Sequence, residues 1–131
     1  MLLVDSSVWI DYFNGKETPN TLYLRDKADR NKILVGDLII CEVLQGFRHD
    51  RDFEAARNLL LSFAYHDITG RKVALLAAEN YRTLRRKGVT VRKTIDILIA
   101  SFCIQNNHEL LHNDKDFDVI EKYLSLRVFH P

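Results

Sequence analysis

The sequence predicts an α/β fold in which helices cover both faces of a central, mostly parallel β-sheet. Short apolar runs without polar alternation recur at residues 2–4, 32–36 and 109–111, and such runs are typical of strands buried on both faces. Longer segments with helical periodicity separate these runs, which favours parallel strands joined by helical crossovers. We therefore expect a three-layer α/β/α sandwich.

The first half of the chain contains five predicted elements. They are a strand over 2–4, a helix over 8–13, a helix over 18–30, a strand over 32–36 and a helix over 37–46. Ser6 and Ser7 are expected to cap the first helix, and Asn14-Gly15 is expected to end it.

The second half continues the alternation of helices and strands. Its predicted elements are a helix over 52–63, a strand over 64–67, a helix over 69–87, a helix over 94–106, a strand over 109–111, a helix over 116–123 and a strand over 126–129. The helix over 94–106 is apolar nearly all round, so we expect it to be buried.

Length and composition indicate one domain. The chain has 131 residues, of which 47% are hydrophobic and 28% are charged, and it contains no repeat or linker, so we predict a single domain over residues 1–131. No stretch approaches the roughly 18 apolar residues of a membrane span, and the first residues lack the basic leader of a signal peptide. Cys41 and Cys103 match no CxxC pattern and are expected to be reduced. We expect a cytoplasmic protein without membrane association.

Four acidic residues occupy positions where carboxylates are unexpected. Asp5 and Asp114 directly follow predicted strands, and in parallel sheets functional groups gather beyond the carboxyl ends of the strands. Asp96 lies in the first turn of an apolar helix, and Glu42 lies among apolar residues of the helix over 37–46. Burying carboxylates is costly unless something neutralises them.

Each of these acids has a simpler explanation when it is taken alone. Asp5 and Asp114 would serve as helix caps, Asp96 would be favoured by the helix dipole, and Glu42 would be exposed. Their joint appearance instead favours a hard divalent cation, because crowded carboxylates repel one another and oxygen ligands suit Mg²⁺ and Mn²⁺. Composition and spacing alone therefore point to a metal-dependent phosphodiesterase.

Four sequence blocks contain these acids and span nearly the whole chain. They are LVDSSVWIDY at 3–12, IICEVLQG at 39–46, RKTIDILIA at 92–100 and LLHNDKDF at 110–117. In this order and spacing the blocks resemble PIN-domain nucleases, specifically the VapC-type toxins of bacterial and archaeal toxin–antitoxin pairs. One block alone is weakly specific, whereas four in order are strongly so.

The resemblance implies a PIN-like fold and a Mg²⁺-dependent endoribonuclease in which Mn²⁺ can substitute. Its acidic quartet falls on Asp5, Glu42, Asp96 and Asp114, and its less constant fifth acid falls on Asp116, so these five are the expected metal ligands. The mechanism is expected to be metal-assisted hydrolysis, with Glu42 ligating the metal or orienting the attacking water. Ser6 matches a hydroxyl residue that helps to position the metal site. His112 departs from the family pattern, in which relatives often carry Thr or Ser.

A basic stretch provides candidates for RNA binding. Arg85, Arg86, Arg92 and Lys93 are expected to contact the phosphate backbone, and Ser6 is a further candidate. Such a stretch is equally typical of a solvated helix face, and the formal net charge of +1 does not decide between the two.

The resemblance also implies a VapB-type antitoxin as a partner and a homodimer. Residues 8–13 together with 22–24 would form an apolar groove for an amphipathic partner helix. The alternative is that Trp9, Tyr12 and Phe13 simply pack in the core.

Two other functions compete with the nuclease. His108-Glu109-Leu110-Leu111-His112 matches the zinc-protease motif HExxH, which requires a helix, whereas this segment is predicted to be a strand. A non-catalytic RNA- or protein-binding module is the better alternative, with structural acids and a binding surface over residues 82–93. The presence of all four acids disfavours it.

Overall fold

A computed structural model describes all residues from Met1 to Pro131. It contains a five-stranded sheet in the order β3-β2-β1-β4-β5, in which every neighbouring pair is parallel. The strands are β1 (Leu2–Val4), β2 (Ile33–Gly36), β3 (Ala64–His66), β4 (Glu109–Leu111) and β5 (Arg127–Val128). The prediction of a parallel sheet is confirmed.

Seven α-helices connect the strands. They are α1 (Ser6–Phe13), α2 (Pro19–Asp26), α3 (Asp37–Leu44), α4 (Asp50–Leu60), α5 (Arg71–Arg86), α6 (Thr94–Asn106) and α7 (Lys115–Tyr123). Helix α1 packs against α2 and α3, and α3 packs against α4. Helix α6 packs against α5 and α7. The two groups of helices cover the sheet as an α/β/α sandwich, which confirms the predicted fold class.

The core follows from the apolar strands and from helix α6. Leu3 and Val4 of β1 and Leu110 and Leu111 of β4 are fully buried, because central strands are covered on both faces. Helix α6 is buried along most of its length, as its uniformly apolar sequence predicts. Its first turn therefore carries Asp96 into the interior of the protein.

Several boundaries differ from the sequence prediction, for local reasons. Helix α1 begins at Ser6, and its cap is Asp5, whose side chain accepts a hydrogen bond from the backbone N–H of Ser7. The expected capping by Ser6 and Ser7 is therefore wrong. The predicted helix over 18–30 ends at Asp26 and is followed by a separate 3₁₀ turn, Arg30–Lys32.

The competing zinc-protease function can be compared directly with the fold. The HExxH segment contains the strand β4, so the helix that a zinc protease requires does not form there. His108 lies near the amino end of this strand, where its Nδ1 is 3.0 Å from the amino group of Met1. His112 lies beyond the other end. As for membranes, none of the helices combines the length and the apolar character needed to span one.

Leu3 tests how strongly the central strand supports the fold. We expect Leu3→Ala to lower the free energy of unfolding by about 2–5 kcal/mol, because it leaves a cavity beneath the strand that carries Asp5. The matched control is Leu75→Ala on α5, where the side chain is 62% exposed and the change should stay within about 0.5 kcal/mol. Urea denaturation followed by circular dichroism in EDTA measures both values. Equal losses in the two variants would contradict this assignment of the core.

Candidate metal centre

Asp5 is held rigidly at the carboxyl end of β1. Its Oδ2 accepts hydrogen bonds from the backbone N–H of Ser7 at 3.0 Å and from the Ser7 hydroxyl at 2.6 Å. Only 3% of the residue is exposed. Both bonds reach the same carboxylate oxygen, so Oδ1 remains available for another partner.

Ser7 also connects Asp5 to the end of β4. Its Oγ accepts a hydrogen bond from the backbone N–H of Asn113 at 3.0 Å, while the Asn113 side-chain amide donates to Asp11 at 2.8 Å. The segment that carries Asp114 is therefore fastened to the segment that carries Asp5.

Glu42 reaches the same edge of the sheet from α3. It is half-buried, and its Oε1 accepts a hydrogen bond of 3.1 Å from the Ser6 hydroxyl. Asp5 and Asp114 are close enough to raise the pKa of Glu42 by repulsion, although burial is the larger cause and the Ser6 bond opposes both.

Asp114 begins the next helix and brings a fifth acid with it. Asp114 caps α7, because its Oδ1 accepts a hydrogen bond from the backbone N–H of Asp116 at 2.9 Å. Asp96, Asp114 and Asp116 each offer a carboxylate oxygen within 4.8 Å of the others. The structure thus brings the predicted acids together, with these three in the tightest group and Asp5 and Glu42 beside them.

Two cations cover this acidic group. Lys93 Nζ lies 3.1 Å from Asp114 Oδ2 and 3.6 Å from Asp96 Oδ2. The guanidinium of Arg92 lies 3.2 Å from Asp116. Both residues were expected to contact RNA phosphates, and in the RNA-free protein they pair with the acids.

Burial and repulsion shift the pKa values of the acids in different directions. Burial raises the pKa of Asp96 to about 6, opposed by Lys93 and assisted by repulsion from Asp114 and Asp5. Burial also raises the pKa of Asp5, against the lowering effect of its bonds with Ser7. For Asp114 the Asp116 amide and Lys93 outweigh burial and hold the pKa below its usual range.

A divalent cation fits these residues. Oδ2 of Asp96 is buried without any hydrogen-bond partner, and a buried carboxylate oxygen is costly to leave unsatisfied. The donor set consists of carboxylates, which are the ligands that Mg²⁺ and Mn²⁺ favour. A cation there would satisfy Asp96 and reduce the repulsion among its neighbours.

His112 supports Asp114 from behind. Its Nδ1 accepts a hydrogen bond from the Asp114 backbone N–H at 3.2 Å, and its ring packs on Phe117 with the ring centroids 5.0 Å apart. Asn20 donates to the His112 carbonyl at 2.9 Å. Since only 6% of the side chain is exposed, His112 acts here through the backbone of Asp114.

His112, Asp118 and Glu121 form a second group whose ligand atoms lie within 4.8 Å of one another. Because Nδ1 of His112 accepts the Asp114 N–H, the neutral ring carries its proton on Nε2. That proton faces Asp118 Oδ1, 3.8 Å away. A metal would have to displace it, so we assign no metal to this group.

Arg85 and Arg86 lie apart from the acids. They occupy the last turn of α5, where the Arg85 guanidinium lies 5.7 Å from the centre of the Tyr81 ring and Arg86 is 3.5 Å from the Thr83 hydroxyl. Neither arginine forms an ion pair with a site carboxylate. Their expected contact with RNA stays a prediction.

The aromatic residues of α1 divide between core and surface. Trp9 is 1% exposed and packs against Tyr12, Phe13 and Phe63, so the core alternative holds for this residue. Ile10 is 41% exposed. Beside it a small cavity runs between α1 and α3, and its lining residues include Ile10, Phe13, Glu42, Val43 and Phe47.

Sequence reasoning missed Ser7 and Asn113 as supporting residues. Ser7 was expected to be a helix cap, whereas its hydroxyl instead joins Asp5 to Asn113. The sequence did contain a signal for the contact with Asp5. Ser7 follows this strand-terminal Asp by two residues, a spacing at which its hydroxyl can reach the carboxylate that caps the helix. The contact with Asn113 joins residues 106 positions apart and has no local signal.

Comparison with known proteins identifies the family of this chain. The profile of the PIN domain family matches residues 2–123. The chain is 30% identical to Ribonuclease VapC11 of Mycobacterium tuberculosis over 129 residues, which cover 97% of this chain and 96% of that protein. The expected family resemblance is confirmed.

Solved structures confirm the fold. VapBC2 from Rickettsia felis, bound to a DNA fragment from its promoter, gives a TM-score of 0.75 at 20% identity and covers 98% of this chain and 96% of that chain. DNA-bound VapBC from Salmonella typhimurium gives a TM-score of 0.78 at 15% identity, with coverage of 98% and 96%.

The raised pKa of Asp96 predicts a pH-dependent instability of the metal-free protein. Its folded pKa of about 6 exceeds the ordinary value of 3.8, so the folded state binds the proton more tightly and stability falls as pH rises through this window. We expect Asp96→Asn to be more stable than the wild type by about 1–3 kcal/mol in EDTA at about pH 7.5. The difference should vanish near pH 4.

Urea denaturation in EDTA at both pH values measures this effect. The control is Glu79→Gln, because Glu79 is exposed and forms no ion pair, and its free energy of unfolding should match the wild type at both pH values. A destabilised Asp96→Asn at about pH 7.5 would show that Asp96 carries no such penalty.

Proposed function

This chain belongs to the PIN-domain family, and we propose that it is a metal-dependent endoribonuclease, the toxin of a type II toxin–antitoxin pair. The observation that carries this proposal is the buried Oδ2 of Asp96, which has no hydrogen-bond partner and lies among the other acids at one sheet edge. Ribonuclease VapC11 supports RNA as the substrate, because it shares 30% identity over nearly the whole chain. We propose that residues 1–131 form a single nuclease domain.

Mg²⁺ is the proposed cofactor, and Mn²⁺ is expected to substitute for it. The residues that would hold it are Asp5, Glu42, Asp96, Asp114 and Asp116. When bound, such an ion neutralises charge on the scissile phosphate and lowers the pKa of a water molecule. Burial of Asp5 and Asp96 excludes bulk water around their carboxylates, which strengthens every charge interaction there.

Glu42 is the proposed group for orienting the attacking water. It is the one quartet member in the second half of a helix, α3, whereas the others lie at a strand end or in the first turn of α6. Ser6 donates to its Oε1 at 3.1 Å, which fixes the carboxylate and leaves Oε2 to accept a proton from water. Asp5, Asp96 and Asp114 would hold the metal beside it.

Water is proposed as the nucleophile, since the serine hydroxyls of the site are already engaged. Ser6 donates its proton to Glu42 and Ser7 donates its proton to Asp5. No side-chain nucleophile is needed when a bound metal supplies an activated water molecule. These hydroxyls therefore position carboxylates and do not attack phosphorus.

The RNA backbone is proposed to approach from the side of Arg92 and Lys93. Both side chains are at least half exposed while they touch site carboxylates, so a phosphate can reach them without rearrangement of the core. Arg85 and Arg86 are proposed as more distant phosphate contacts.

A VapB-type antitoxin is the proposed protein partner. Structures such as VapBC2 from Rickettsia felis share this fold and are complexes by their names. The cavity between α1 and α3 would accept an apolar side chain of the partner between Ile10 and Phe47, next to Glu42. A homodimer and a cytoplasmic location are proposed with it; the two cysteines are free, as expected in a reducing compartment.

RNA cleavage tests the proposed function. Purified protein incubated with total RNA should cleave it in Mg²⁺ or Mn²⁺ and not in EDTA. Asp96→Asn should lower the cleavage rate by more than about 100-fold. Mutating a residue that only supports a metal ligand typically lowers activity by about 10- to 100-fold, and loss of the ligand itself should cost more. Glu79→Gln is the matched control and should cleave like the wild type, since it removes an exposed carboxylate that forms no ion pair.

Three results would contradict the proposal. Cleavage that persists in EDTA and in Asp96→Asn would indicate a contaminant or a metal-free mechanism. Binding of RNA without cleavage in Mn²⁺ would favour a non-catalytic RNA-binding module. Absence of calorimetric Mn²⁺ binding would refute the metal site itself.

A further inference from the structure

Lys93 occupies a central position among the carboxylates. Its ammonium forms a hydrogen bond with Asp114 at 3.1 Å and lies 3.6 Å from Asp96 Oδ2, the buried oxygen that has no hydrogen-bond partner. Its charge also acts on Glu42 and Asp116. A single side chain therefore serves as counter-ion to most of the acidic group.

The positive charge at the site is insufficient without a further cation. Five carboxylates converge there, from Asp5, Glu42, Asp96, Asp114 and Asp116, while only Arg92 and Lys93 form ion pairs with them. Arg92 pairs with Asp116 at the periphery. Lys93 is thus the cation placed against the same oxygens, on Asp96 and Asp114, that a divalent ion would take.

The two side chains of this ion pair differ in exposure. The Asp96 side chain is 5% exposed and is fixed in the first turn of α6, whereas the Lys93 side chain is 50% exposed. Lys93 is the cap residue of α6, yet its side chain makes no capping hydrogen bond. The ammonium can therefore leave the acids without disturbing the helix, and half-exposed ion pairs of this kind are weak.

We propose that Lys93 is a built-in counter-ion which the divalent cation displaces, so that its ammonium becomes free for an RNA phosphate only after the metal has bound. This inference rests on the proposed function and adds to it a coupling between the two ligands. Without metal, Lys93 compensates the acids. With metal, the doubly charged ion takes over that task, and Lys93 acts as a positioning residue for the RNA backbone.

The coupling has a signature that simpler roles lack. A residue that only stabilises the site would, when neutralised, weaken both metal and RNA binding. A residue that only contacts RNA would leave metal binding unchanged. A displaceable counter-ion competes with the metal, so its removal strengthens metal binding and weakens RNA binding at the same time.

Calorimetric titration of the RNA-free protein with Mn²⁺ is the primary test. We expect Lys93→Gln to bind Mn²⁺ about three- to tenfold more tightly than the wild type, the size expected when a half-exposed competing charge is removed. Lys93→Ala should behave like Lys93→Gln, and Lys93→Arg, which keeps the charge, should stay within about twofold of the wild type. Arg92→Gln is the matched control for overall charge and should show a smaller gain.

RNA binding supplies the second readout. The anisotropy of a fluorescein-labelled 20-nucleotide RNA, with its integrity checked on a gel, is measured with and without Mn²⁺. Wild-type protein should gain affinity for this RNA when Mn²⁺ is added, and Lys93→Gln should lose most of that gain. Thermal unfolding in EDTA checks that each variant is folded before titration.

The outcomes separate this inference from the proposed function. If the wild type binds Mn²⁺ but Lys93→Gln and Lys93→Ala bind it equally or more weakly, the counter-ion role is overturned and the nuclease remains. If Lys93→Gln gains no more than Arg92→Gln, the effect is one of net charge and the inference fails. If the wild type binds no Mn²⁺, the metal centre fails, and the counter-ion role fails with it.

Discussion

The mutual repulsion of five carboxylates at one edge of the sheet is the constraint on which the rest of this structure depends. Parallel strands end at a common edge, so residues that follow β1 and β4 meet there whatever their charge. Helices α3 and α6 add Glu42 and Asp96 to the same place. The surrounding polar contacts are arranged to keep these acids in position despite their repulsion.

Helix capping and metal binding are compatible roles for the same residue. Asp5 and Asp114 each cap the helix that follows them, and each uses one carboxylate oxygen to accept the backbone N–H two residues ahead. The capping bond fixes the side chain and favours its ionised form. A cap therefore prepares an oxygen ligand, and the simpler explanation of these two acids does not exclude the functional one.

Asp96 differs from the other acids because nothing in the chain fully satisfies it. It lies in the largely buried helix α6, and Lys93 is the one cation that pairs with its buried Oδ2. Natural cores rarely leave such an atom unpaired, and exceptions point to function. The metal-free protein thus retains local instability that a bound cation would relieve, as is common where a site is selected for activity over stability.

The sequence alone determined the fold class, most elements and the identity of the acidic residues. Uninterrupted apolar runs indicate buried parallel strands, and an Asp directly after such a run must lie at the carboxyl edge, because strand direction fixes it there. Element ends were less certain, since capping depends on which side chain reaches a free N–H. Asp5, Ser6 and Ser7 were all candidates for the cap of α1, and the sequence did not show that Asp5 makes the capping hydrogen bond.

Only the tertiary structure decided how the acids are supported. The contacts of Ser6 with Glu42, of Ser7 with Asn113 and of Lys93 with Asp114 join residues that are 36, 106 and 21 positions apart. Local patterns carry no information about such pairs, because they depend on how strands and helices are packed. The sequence therefore supplied the charged groups, and the packing of β1, β4, α3 and α6 decided which of them lie within bonding distance.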